Sequence, residues 1–278
     1  MTSLNILFLT YHQITPQNGG IERVSDLVAE EFEIIGIRCF SAYFYPSKYP
    51  KSEHIIKDIC LSENNRKSEL SQFLTDNSID IVVNQQVYEL DKVVNRLREE
   101  LFENVRYVFF QHDRPLIQYW STLAYYKFAA SHGAFRNRMI FSIKLLVSPV
   151  YHILRFMVYR NRFRKIYNHV NKFVLLSDYF IPVFCQQTGI SNLAKISIIP
   201  NCVTLPIRIP NDVVLKKTKD VLIVSRLTDE RKRISLALKI WYLYQKKYSS
   251  CEAHNWTLRI VGTGLYYNDY VRKVNEYH

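Results

Sequence analysis

Apolar positions along the chain fall into alternating runs and stripes. Positions 4–10 form a largely apolar run, with Asn5 and Thr10 its polar members, the pattern of a strand buried on both faces of a parallel sheet, and a polar stretch ending in Gly19 and Gly20 follows it. Ile21, Val24, Leu27, Val28, Glu31 and Phe32 then make a mostly apolar stripe at helical spacing, Gly36 breaks it, and 37–44 reads as a second strand. The alternation continues with strands at 79–84, 105–111, 172–177 and 196–199, helices near 90–101 and from 178, and a long helical insert before the strand at 172. Strands interleaved with helices at this pitch predict a doubly wound parallel sheet.

Positions 200–219 contain three prolines and little periodicity, after which the pattern restarts with a strand at 221–224, a helix near 234–248 and a strand at 256–261. The expected fold class is therefore α/β, with two Rossmann-like domains over 1–204 and 205–278. Two strands and two helices do not close a Rossmann-type sheet. The second domain is expected to be truncated, as a fragment, a shortened gene product, or a part completed by a partner.

Composition sharpens this picture. With 48% hydrophobic and 22% charged residues over 278 positions, the chain is globular and long enough for a core in each domain. Five scattered cysteines, with no close metal-binding pair, read as reduced thiols in a cytoplasmic protein. The initial apolar run is too short for a signal peptide or a membrane span.

The net charge of +12 is unevenly placed: between Arg114 and Ser177 stand eleven Lys or Arg and no Asp or Glu. This is the basic helical insert, 114–170. Within it, 139–159 is apolar but interrupted by Lys144, Pro149, His152 and Arg155, too often for a membrane-spanning helix. Two readings remain open: an interfacial element docking on an anionic membrane at its inner face, or ordinary first-domain core with a solvated basic face. Nucleic acid would also suit the charge, but no recognised binding module accompanies it, and nucleic acid is not expected as a partner.

Four places can carry chemistry. Gly19 and Gly20 lie between a buried strand and a helix, where free amides attract anions, although two glycines can equally serve only a tight turn. His112 follows an apolar strand and precedes Asp113, Arg114 and Pro115, so it sits at a strand end, where an imidazole can meet a substrate or simply face solvent. Arg226 follows the strand at 221–224, and Lys232 lies six residues on. This cationic pair suits a diphosphate, and a solvated basic loop with Arg231 and Arg233 is the competing reading. Gly262 and Gly264 follow the last strand without the third glycine of a dinucleotide fingerprint, which argues against a nicotinamide dehydrogenase.

Taken in order, Asn18 to Val24 (with Gly19, Gly20 and Glu22), His112, Ile199 to Val203, Ser225 to Leu227 with Lys232, and Gly262 to Gly264 resemble family-4 glycosyltransferases of the GT-B fold. The resemblance runs over essentially the whole chain. It implies transfer of a sugar from a nucleotide-diphosphate-sugar co-substrate to a glycan or lipid-linked acceptor in cell-surface polysaccharide assembly, with retention and without a metal or other cofactor. It places His112 by the donor sugar and Arg226 with Lys232 on the diphosphate as catalytic residues. Gly19, Gly20, Gly262 and Gly264 join the donor side, and Glu22 the acceptor side.

Cys202 and Ser225 stand where the family usually has glycine, so a positive φ at either would be costly. The paired glutamates that contact donor sugar and ribose have no counterpart in these 278 residues. An inactive remnant or scaffold at the membrane surface is the alternative.

Overall fold

A computed structural model describes residues 3–17, 19–115, 126–127, 129–131, 135–202, 211–212, 216–248 and 256–277. The chain folds as two compact units, Met1–Tyr119 with Pro149–Val203 and Trp120–Ser148 with Thr204–His278. The basic insert is thus shared, its stretch up to Ser148 grouping with the second unit and its remainder with the first. Most of the linker after Cys202, at 203–210 and 213–215, lies outside the described residues.

In the first unit the elements run β1 (Asn5–His12), α1 (Gly20–Ile34), β2 (Arg38–Tyr45), β3 (Lys57–Cys60), α2 (Arg66–Asp76), β4 (Ile81–Gln85), α3 (Asp91–Glu100), β5 (Arg106–Gln111). The insert adds α4 (Phe135–Leu146), in the second unit, and α5 (Ser148–His169). Then come β6 (Lys172–Leu175), α6 (Phe180–Thr188) and β7 (Ile196–Ile198). The seven strands form one sheet in the order β3-β2-β1-β4-β5-β6-β7, every pairing parallel.

Both faces of this sheet are covered, which is why β1 reads as a largely apolar run rather than an alternating one. Leu7 and Leu9 point into a core shared with α2, α3, α5 and α6, while Ile6 and Phe8 pack against α1 through Ala29, Val28 and Phe32. Helix α1 stops where Gly36 takes a φ of +80°, a conformation that lets its N–H reach the carbonyl of Glu33.

The pair β3 and α2 was not anticipated from the pattern. Its strand is a four-residue edge with no buried position, and its helix buries only Leu70, Phe73 and Leu74, too little apolar content to stand out.

Helix α5 changes character along its length. Phe163, Ile166 and Tyr167 are buried in the main core, whereas Val150, Ile153, Leu154, Met157 and Val158 are exposed. The buried end is tied down by polar contacts: His169 Nδ1 lies 3.0 Å from Asp91 Oδ2, and the Arg98 guanidinium donates to the carbonyls of Val105 (2.7 Å) and His169 (2.8 Å) and to Asn171 Oδ1 (3.0 Å). The 139–159 stretch is therefore not one buried helix but two helices, α4 and the start of α5, with exposed apolar side chains on each.

The second unit continues with β8 (Asp220–Val224), α7 (Asp229–Lys232), α8 (Ile234–Lys247), β9 (Thr257–Val261) and α9 (Tyr267–Tyr277). Strands β8 and β9 pair in parallel, and Leu227, Ile234, Leu238, Tyr266 and Tyr270 form a small core with Leu258 and Ile260. Side chains alternate along each strand, so Leu222, Val224 and Val261 belong to the opposite face, where they are exposed.

Phe173 anchors the larger core. Fully buried in β6, its ring lies within 6.3 Å, centroid to centroid, of the rings of Phe109, Phe163, Tyr167 and Phe184. Phe173→Ala should cost about 3–5 kcal/mol of stability, measured by chemical denaturation.

Candidate functional site

In the first unit, β1 lies between β2 and β4, the point at which the strand order reverses. Ligands of open parallel sheets collect beyond the carboxyl ends of the strands at such a switch. The carboxyl ends here carry the loop to Gly19 and Gly20 after β1, the Gln85–Gln86 pair at the end of β4, and Gln111, His112 and Asp113 at the end of β5.

Gly19 is the residue before α1, with φ −62° and ψ −179°, and as a glycine it offers no side chain to cap the helix. A β-carbon on Gly20 would meet nothing within 4 Å, so the approach to the first turn is open. Neither glycine adopts a positive φ. Asn18 lies outside the described residues. Glu22, in the first turn of α1, is buried.

His112 is held by carboxamides. Gln85 Oε1 lies 2.6 Å from its Nε2, and the backbone N–H groups of His112 and Asp113 both donate to Gln86 Oε1, at 2.7 and 3.1 Å. Gln86 Nε2 donates to Asp113 Oδ2 at 3.3 Å. Gln111 accepts from Tyr88 OH at 2.9 Å and donates to the Asp113 carbonyl at 3.1 Å, and the Phe110 ring stacks on the imidazole at 5.9 Å. An amide oxygen facing Nε2 accepts from that nitrogen in the tautomer with its proton on Nε2.

Gln86 makes these bonds from a φ of +65°, a conformation that costs a non-glycine residue on the order of 1 kcal/mol. Gln85, Gln86 and Gln111 were not singled out from the sequence. The available signal was polar carboxamides, Asn84, Gln85, Gln86 and Gln111, placed at the ends of two otherwise apolar strands.

Burial pushes the His112 imidazole down to about 4, against the opposing pull of the Asp113 carboxylate and the Asn201 side chain. The ring is accordingly neutral at neutral pH. Asn201 comes from the stretch after β7, so the motif around residue 200 and the strand-end histidine meet at one place. Cys202 is exposed, and neither it nor Ser225 has a positive φ; among the described residues the non-glycine cases are Ser78, Gln86 and Arg233.

In the second unit Arg226 follows β8 and Lys232 closes α7; both are exposed. Gly262 and Gly264 serve close packing of one loop on another. Ser225 N–H donates to the Val261 carbonyl (3.1 Å) and Leu227 N–H to the Thr263 carbonyl (2.9 Å). A β-carbon at Gly262 would lie 1.9 Å from the Ser225 carbonyl oxygen, and one at Gly264 2.4 Å from that of Leu227. The two glycines thereby set the shape of the loop that carries Arg226.

No protein-family model and no curated protein sequence matches the chain. Among solved structures it is similar to WaaG, described as a glycosyltransferase involved in lipopolysaccharide biosynthesis, with a TM-score of 0.54 and 16% identity over 98% of this chain and 67% of that one. It is similar also to OtsA in an apo structure, with a TM-score of 0.54 and 13% identity over 99% of this chain and 69% of that one. At these identities the likeness establishes the fold, which is α/β of GT-B type.

Two outcomes follow from this geometry. Unfolding frees His112 to bind a proton at its ordinary value near 6.5, whereas the folded ring resists protonation down to about 4. The unfolded state therefore holds more protons between these values, and stability falls as pH drops from 6.5 to 4, by up to about 3 kcal/mol. His112→Gln should flatten the denaturation midpoint over that window relative to the unchanged protein. Gly264→Ala should cost about 1–3 kcal/mol through overpacking against Leu227, read as a lowered thermal midpoint.

Proposed function

We propose that the protein is a glycosyltransferase that moves a sugar from a nucleotide-diphosphate-sugar donor to a glycan or lipid-linked acceptor in cell-surface polysaccharide assembly. The observation that carries this reading is the convergence on His112. A neutral, oriented imidazole stands at the carboxyl end of β5, beside the switch point of a GT-B type sheet, with Asn201 and the glutamine pair around it.

In this reading His112 meets the donor sugar, and the start of α1 at Gly19 and Gly20 belongs to the donor side. Glu22 contributes to the acceptor side. Arg226 and Lys232 hold the diphosphate, with Gly262 and Gly264 shaping their loop. The two cations stabilise the negative charge that grows on the leaving diphosphate as the glycosidic bond breaks, and no metal or other cofactor is needed for that step. The sugar is transferred with retention at its anomeric carbon.

The exposed apolar side chains of α4 and of the first turns of α5, among them Phe135, Met139, Leu146, Val150 and Ile153, alternate with Arg136, Arg138, Lys144 and Arg155. No acid interrupts them, which suits an anionic lipid surface. Among the described residues no helix is long and apolar enough to cross a membrane. We place the protein in the cytoplasm, peripheral at the inner membrane face, where a lipid-linked acceptor is within reach.

A thermal-shift and turnover screen with UDP-, GDP- and ADP-sugars tests the donor reading. Arg226→Ala should lower turnover about 100- to 1000-fold and weaken donor binding; turnover unchanged by that substitution would remove the assignment. Co-sedimentation should occur with anionic vesicles and not with neutral ones, and equal, negligible binding to both would remove the membrane reading.

A further inference from the structure

The second unit has a cavity of about 750 Å³ lined by Lys127, Arg233, Lys239 and Lys273, with Ser235 and, among the described lining residues, one acid, Asp229. Neither Arg226 nor Lys232 lines it. One carboxylate does not balance four cations, and the Asp229 Oδ1 accepts from the Ser235 N–H at 2.7 Å and from Tyr270 OH at 3.1 Å, fixing the start of α8 against α9. Lys273 is steered inward by its 2.6 Å bond to Ser235 Oγ. Among the described residues, Lys127, Arg233 and Lys239 have no ion-pair partner.

A second, independent observation concerns the backbone. Arg233 sits between α7 and α8 with φ 49° and ψ 40°, the left-handed conformation that glycine adopts without strain. The position carries a guanidinium that lines the cavity instead. Strain at a non-glycine residue beside a ligand-sized space is a pointer to binding. Four like charges brought around one space repel each other unless an anion neutralises them.

We propose that this cavity is a binding site for a phosphate-class polyanion, separate from the diphosphate-binding role assigned to Arg226 and Lys232. Its four cations suit a diphosphate group, which can take charge-assisted hydrogen bonds from a guanidinium and several ammonium groups at once and for which the cavity has ample room. The site does not depend on the transferase reading. A ligand here would draw α7, α8, α9 and the segment carrying Lys127 onto one group.

The test is calorimetric titration of the full chain with inorganic pyrophosphate, in EDTA and at low salt, on the Arg226→Ala/Lys232→Ala protein, which lacks the other proposed phosphate ligands. Binding is expected to persist in that protein and to weaken at least about tenfold when Lys127→Gln and Lys239→Gln are added. Arg233→Asn, which tolerates the left-handed backbone, is expected to weaken it similarly. Lys246→Gln/Lys247→Gln, which removes two charges from the end of α8 outside the cavity, is expected to leave it unchanged. No binding in the Arg226→Ala/Lys232→Ala protein, or equal weakening by the Lys246/Lys247 pair, overturns the proposal. Because these titrations use protein already stripped of Arg226 and Lys232, their failure leaves the donor reading standing, and failure of the donor screen leaves this site standing.

Discussion

Every strand of the larger sheet runs in the same direction, and the rest of the first unit follows from that constraint. Parallel neighbours cannot be joined by tight turns, so connections have to cross back over a face, and both faces become covered. All carboxyl ends then gather along one edge, and the reversal between β1 and β4 opens a space there that no crossover fills. The buried aromatic cluster around Phe173 makes this frame rigid enough to hold a site at its rim.

At that rim the strands end in amides rather than hydrocarbons. Gln85, Gln86 and Gln111 are almost wholly buried, and a buried amide is tolerated only when its donors and acceptors are met. They meet each other's neighbours: the imidazole, two backbone N–H groups, the Asp113 carboxylate and a tyrosine hydroxyl. The result is a histidine whose ring is oriented and neutral before any ligand arrives. Its neutrality comes from burial overcoming a nearby carboxylate, so the ring can take part in hydrogen bonding to a polar ligand without contributing a charge.

The second unit is organised by a different economy. Its small core sits on one face of two strands, and backbone pairs with backbone where Gly262 and Gly264 leave no room for side chains. Rigid loops of this kind present the cations around them in set positions. Arg226 and Lys232 follow β8, while Lys127, Arg233, Lys239 and Lys273 line a cavity of the same unit, two collections of positive charge.

The sequence by itself determined the α/β class, the two-part organisation of the pattern and the strand ends at which chemistry was sought. Those features depend on local periodicity and on which residues break it, and β1, α1, β4, α3, β5, β8 and α8 all fall close to the positions read from the apolar runs and stripes. The small edge element β3 and the sparsely apolar α2 escaped because burial of three side chains leaves little periodic trace. Only the tertiary structure decided that α5 is half core and half exposed, since its apolar residues look alike in sequence and differ only in what the sheet and Arg98 reach. It alone brought Asn201 and Gln85 to His112 across 89 and 27 positions of chain, respectively, and gave Gly264 its neighbour in Leu227. Hydrogen bonds and steric exclusion between residues distant in sequence are set by how strands are ordered in the sheet, and strand order is a property of the folded chain that no local pattern encodes.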